Sequence, residues 1–254
     1  MKKLVKAGMA ALLICAMGAC TKKEEPAPET AEPEVQEETA EPELAGEAVG
    51  AWEVYKDAFG KNLTDDDTAH FEAAMEGLTG VGYTPVAVLA RQVVSGENTA
   101  FLALGTTVTE TPVTDFYVVV VYNNLQGGSE ILSIKKIDLT DIKVTEEAPA
   151  ADLLGGWTVE GSGRPGSLTA DSEAALMAAL ANFTGMQIMP VSLLGTQVVS
   201  GMNYRYLMTG APITGNEEEA EKVYLAEVYM DKDGKAEMTA LQPLDLLYYV
   251  TPEN

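Results

Sequence analysis

Apolar residues recur along this chain with two periods, one helical and one strand-like. Phe71, Ala74, Met75 and Leu78 fall at i, i+3, i+4 and i+7, and Leu176, Ala179, Leu180 and Phe183 repeat that spacing in the same phase. Such spacing places four apolar side chains on one helix face. Thr64 and Thr169 stand where an N-cap belongs, Asp65 to Asp67 and Asp171 complement the helix dipole, and Gly80 and Gly185 mark the ends. The other apolar stretches read as strands: Trp52–Val54, Tyr83–Val94, Phe101–Thr109, Phe116–Tyr122 and Ser129–Ile137, then Trp157–Val159, Gln187–Val199, Tyr204–Met208, Val223–Met230 and Ala236–Leu241. Asn123–Gly128 and Asp231–Lys235 have the composition of hairpin turns.

The two sets of elements are copies. At a constant offset of 105, Gly50 aligns with Gly155, Trp52 with Trp157, Gly80 with Gly185, and Pro85-Val86 with Pro190-Val191. The pentapeptide Gln92-Val93-Val94-Ser95-Gly96 recurs intact as Gln197-Val198-Val199-Ser200-Gly201, and Asn98 aligns with Asn203. After an insertion near Asn216 the offset becomes 107, pairing Val121-Tyr122 with Val228-Tyr229 and Gly127 with Gly234. A period of this length marks tandem domains rather than a solenoid. The pattern predicts an α+β fold: two domains, 50–142 and 153–250, joined by a linker at 143–152. Each has the order β-α-β-β-β-β, with one helix packed on a 4–5-stranded antiparallel sheet.

Residues 1–19 are set apart. Lys2, Lys3 and Lys6 precede a short apolar run ending in Met17-Gly18-Ala19-Cys20. This is the make-up of a secretory signal, and it resembles a bacterial lipoprotein signal, in which Cys20 becomes the lipidated residue. The expected address is extracytoplasmic, anchored to the cell membrane or outer membrane. Residues 20–49 carry ten glutamates, four prolines and no aromatic residue, a composition that predicts a disordered tether. The chain has a formal net charge of −23, and loss of a signal containing three lysines and no acids makes it more acidic still. So acidic a surface repels phosphate backbones, which argues against nucleic-acid binding.

Catalytic and metal chemistry finds little support. His70, the sole histidine, lies on the first helix without a counterpart in the second, and no motif around it suggests a nucleophile-base pair. Asp231-Lys232-Asp233-Gly234 resembles the start of a calcium loop, but its flanks are strands and it lacks the later ligands such a loop needs. It reads as a turn. No enzyme activity, cofactor or metal is expected.

Gln-Val-Val-Ser-Gly followed by Asn-Tyr, after a helix and a strand, resembles the cystatins, protein inhibitors of papain-like cysteine proteases. The resemblance implies two cystatin-like domains. It implies a protease-binding wedge in each, formed by an N-terminal glycine region, the pentapeptide loop and a second hairpin loop. The wedge residues would be Gly155, Gly156, Gln197, Val198, Val199, Ser200 and Gly201 in the second domain. In the first they would be Gly50, Gln92, Val93, Val94, Ser95 and Gly96. Neither second hairpin loop carries the Pro-Trp pair of the secreted cystatins. The alternatives are a non-inhibitory surface recognition or adhesion module, and an inhibitor of another class of secreted enzyme.

Overall fold

The structure is a computed structural model, and it describes residues 50–55, 63–139, 155–159, 167–181, 183–213 and 221–252. The signal, Cys20, the tether and the 143–152 linker lie outside the described residues. The first repeat runs β1 (Trp52–Val54), α1 (Asp65–Met75), β2 (Val81–Val94), β3 (Gly96–Thr107), β4 (Thr114–Asn124) and β5 (Ser129–Lys136). The second runs β6 (Thr158–Val159), α2 (Ala170–Leu180), β7 (Met186–Val199), β8 (Gly201–Pro212), β9 (Lys222–Met230) and β10 (Ala236–Pro243), and ends in α3 (Leu246–Val250). Each repeat forms one five-stranded sheet with its strands in sequence order, antiparallel throughout.

Local chemistry explains where the two longer helices begin. Thr64 and Thr169 have extended backbones and accept from the amides of Asp67 and Ser172, both at 3.1 Å. Asp67 and Ser172 in turn accept from the Thr64 and Thr169 amides, closing a capping box at each start. The helices stop earlier than the apolar period predicts, at Met75 and Leu180, so Leu78 lies beyond α1 and is exposed. In the sheets, β2 and β7 slip register at matching places, between Pro85 and Ala87 and between Pro190 and Ser192. A proline has no N–H to give the ladder, and a bulge beside it bends the long strand.

The expected α+β class, two cystatin-like domains each with its sheet packed on one helix, is corrected by this architecture. The described residues are mostly β: two five-stranded antiparallel sheets with only three short helices. The reason lies in what covers the sheets. α1 buries Phe71 against Val88, Phe101, Ala103, Val119 and Val121 on one face of the first sheet. α2 buries Ala175, Leu176 and Ala179 against Tyr204, Tyr206, Met208, Ala226 and Val228 on one face of the second. The opposite faces share a single core, in which Leu89, Leu102, Val118 and Val120 join Val191, Leu194, Leu207 and Leu225. Each sheet is therefore the main cover of the other, and strands such as Ala100–Leu104 are buried at consecutive positions rather than alternate ones.

Polar ties reinforce this shared core. α3 belongs to the second repeat but lies against the first. Ser133 on β5 donates to the Tyr249 carbonyl at 3.1 Å, and Lys135 donates to the carbonyls of Tyr248 and Thr251 at 2.7 and 2.8 Å. From β8, Arg205 donates to the Leu139 carbonyl of the first repeat, and its guanidinium stacks 3.7 Å from the Trp157 ring. Arg205 also pairs with Glu227 on β9 at 3.0 Å, both side chains being buried. Burial pushes the Arg205 pKa down, opposed by its bond to Glu227.

Candidate functional site

Both pentapeptides lie at hairpin tips. Val94 pairs with Gly96 and Val199 with Gly201, leaving Ser95 and Ser200 alone to turn the chain. So tight a reversal requires the following residue at positive φ, and Gly96 and Gly201 adopt +129° and +155°. The same glycines permit close approach by the neighbouring strand. A Cβ at Gly96 would run into the Asn123 carbonyl and the Tyr122 ring, and one at Gly201 into the Met230 carbonyl and the Tyr229 ring.

Strand register gathers the other predicted segments at the same end of each sheet. Gly96 pairs with Asn124, placing the β4–β5 turn beside the first tip, and Trp52 pairs with Gln92. The conserved-in-repeat glutamine fixes the N-terminal segment there. Gln92 donates to the Gly50 carbonyl at 2.6 Å and accepts from Asn98 at 2.6 Å. Gln197 donates to the Gly155 carbonyl at 3.0 Å and accepts from Asn203 at 2.9 Å. A tyrosine from the fourth strand of each repeat, β4 or β9, completes the lock: Tyr122 donates to the Ser95 carbonyl at 2.7 Å, and Tyr229 to the Ser200 carbonyl at 3.0 Å.

These contacts divide the pentapeptide. The glutamine, the serine carbonyl and the glycine serve the fold of the tip. Val93 and Val198 do not; each is 61% exposed. Val94 is also exposed, whereas its counterpart Val199 is buried at 7%. Gly155 approaches the Val198 carbonyl closely, while Gly156 faces open space. Sequence reasoning found the glutamines and glycines but gave no role to Asn98, Asn203, Tyr122 or Tyr229. Their recurrence at the offsets of 105 and 107 was the available signal.

The second hairpin turns differ in character. Asn124 accepts through its side chain from the amides of Gln126 and Gly128, and Asp231 from those of Asp233 and Lys235, all at 2.9 Å. The Asp231 carboxylate is thus occupied in holding a turn. Leu125 projects from the first turn, 78% exposed, where the second carries charged residues.

Behind the first tip, Arg91 bridges α1 to the sheet. It pairs with Asp67 at 2.6 Å and with Glu97, and lies over the Tyr55 ring at 5.7 Å. Burial alone would raise the Asp67 pKa, but hydrogen bonds from Arg91 and Thr64 outweigh it and hold the carboxyl below its ordinary value. His70 meets Ser129 at 3.1 Å. No group of three or more His, Cys, Asp or Glu among the described residues is placed to hold a metal ion. Nor is any helix among the described residues long and apolar enough to cross a membrane.

Compared with family models, curated proteins and solved structures, the chain matches none.

Proposed function

We propose that the chain is an extracytoplasmic lipoprotein, anchored through Cys20, whose hairpin tips bind a protein partner, with papain-like cysteine proteases as the partner class. The observation carrying this reading is the exposure of Val93 and Val198 on tips whose glutamine side chains and serine carbonyls are already hydrogen-bonded. An apolar side chain on a preformed support loses little conformational freedom when it is buried in a cleft. The one-residue reversals at Ser95 and Ser200 are also held tightly by the close packing at Gly96 and Gly201. A second reading, surface recognition or adhesion without inhibition, is favoured by the Asp231–Lys235 turn. Its charges suit a wet contact better than a dry cleft.

The test is inhibition of papain by the purified protein, repeated with Val93→Asp and Val198→Asp singly and together. These positions are exposed, so the variants should fold. Inhibition that weakens about tenfold or more in the double variant, as expected for loss of a buried apolar contact, supports the protease reading. Absence of inhibition by the unaltered protein at micromolar concentration removes it and leaves the recognition reading.

A further inference from the structure

The methionines are distributed unevenly between the repeats. Of those beyond the signal, Met75 is in the first repeat, and Met177, Met186, Met189, Met202, Met208, Met230 and Met238 are in the second. Three of the latter come together on the sheet. Met202 on β8 and Met230 on β9 are directly opposed across the ladder. Met230 is paired in turn with Ala236, which sets Met238 two positions along β10 on the same side. All three pack at the border of the core beneath α2 and are half-buried, neither sealed in nor fully solvated.

Packing does not demand sulfur at these positions. The first repeat has the same register there, with Glu97 opposed to Asn123 and Ile131 opposed to Val121. A charged, an amide and an aliphatic side chain thus occupy the places of Met202, Met230 and Met238. Directly opposed residues on one face of a ladder have their Cβ atoms about 5 Å apart, and diagonal neighbours lie within reach of long side chains. A methionine has three rotatable bonds beyond Cα with which to bring its sulfur to a shared point. Thioether sulfur is neutral at all pH values and is a soft donor, selective for Cu(I) over hard cations. The strongly negative chain raises the local concentration of any cation.

We propose that Met202, Met230 and Met238 form a thioether site for a soft monovalent cation of the Cu(I) class. The site lies on the outer face of the second sheet beside its hairpin tip, Met202 being directly opposed to Val198 across β7 and β8. Binding is coordination only: no proton leaves a ligand and no electron is transferred.

The test is titration of the full chain with Ag(I), an air-stable probe of the same class, followed by calorimetry and by the methionine methyl resonances. Cu(I) in competition with a chromophoric chelator provides a second probe. The expected result is one ion per chain, with shifts at the methyls of Met202, Met230 and Met238 and little change at the buried Met208. Met202→Leu and Met230→Leu nearly conserve volume, so the fold should persist while affinity falls at least about tenfold. No stoichiometric binding at micromolar protein would overturn the proposal. So would equal affinity in the Met202→Leu/Met230→Leu double variant, or methyl shifts confined to Met75, Met177 or Met189.

Discussion

The Gln197 side chain donates to the carbonyl of Gly155, forty-two residues earlier in the chain, at 3.0 Å. Its oxygen accepts from Asn203, so one amide holds both the incoming segment and the far side of the hairpin. Gln197 and Asn203 are both buried. Gln197→Ala therefore leaves two polar groups without partners and should cost about 1–3 kcal/mol. Gln92→Ala, at a half-buried copy of the same site, should cost less. Denaturant midpoints of the two variants measure the difference, and equal losses would contradict it.

Gly96 and Gly201 should tolerate no side chain. Alanine at either position meets a positive φ and a neighbouring backbone carbonyl together. Each substitution should destabilise by about 2 kcal/mol or more, since strain and steric overlap add. Thermal unfolding detects this directly. It follows that a glycine variant reports on folding rather than binding, which is why the exposed valines are the informative tip positions.

Arg205 and Glu227 stand where the first repeat has Ala100 and Val120. Removing one charge, as in Glu227→Leu or Arg205→Met, leaves the other buried and should cost about 3–5 kcal/mol. Replacing both by apolar residues, Arg205→Met with Glu227→Leu, should recover much of that loss, because the aligned pair in the first repeat is already apolar. A double-mutant cycle on unfolding free energy checks this. Single losses that simply add would refute the coupling.

The Asp67 carboxyl titrates below the ordinary aspartate value of 3.8. A group with a depressed folded-state pKa stabilises the fold fully above its unfolded value and loses that contribution as pH falls through the folded one. Stability should thus be steady near neutrality and fall below about pH 4. Asp67→Asn should flatten that fall while lowering stability at neutral pH, since Arg91 loses its charged partner. Unfolding curves across pH 2–7 compare the two proteins.

What was legible in the sequence was local. Thr64 and Thr169 cap helices because the groups they satisfy lie three residues away, and the strand order follows from turns within the same hairpin. The cover of the sheets was not local. Phe116–Tyr122 is apolar at consecutive positions, the pattern of a strand buried on both faces, yet nothing nearby indicates that the second face meets Leu207 and Leu225. The α+β expectation gives each sheet a helix as its cover, whereas the larger cover is the other sheet. The pentapeptide was found by its repetition, but the work of its glutamine depends on a carbonyl forty-two residues back.

α3 gives the final prediction. It buries Tyr249 and Val250 in the core shared by the sheets, while Lys135 of the first repeat holds the carbonyls of Tyr248 and Thr251 and lies 4.5 Å from the Tyr248 ring. Truncation after Leu244 would uncover apolar surface belonging to both repeats. Burying a large side chain is worth about 1.5–3 kcal/mol, so loss of Tyr249 and Val250 together should remove several kcal/mol. Because the core is common, the intact protein should unfold in one transition whether followed by Trp52 or Trp157 fluorescence, each observed with the other replaced by Phe. The truncated chain should unfold earlier by both probes and bind an apolar dye. Lys135→Met should lower stability by less than about 1 kcal/mol, its contacts being near the surface. Loss of stability in the second repeat alone would mean that α3 serves only the repeat that carries it.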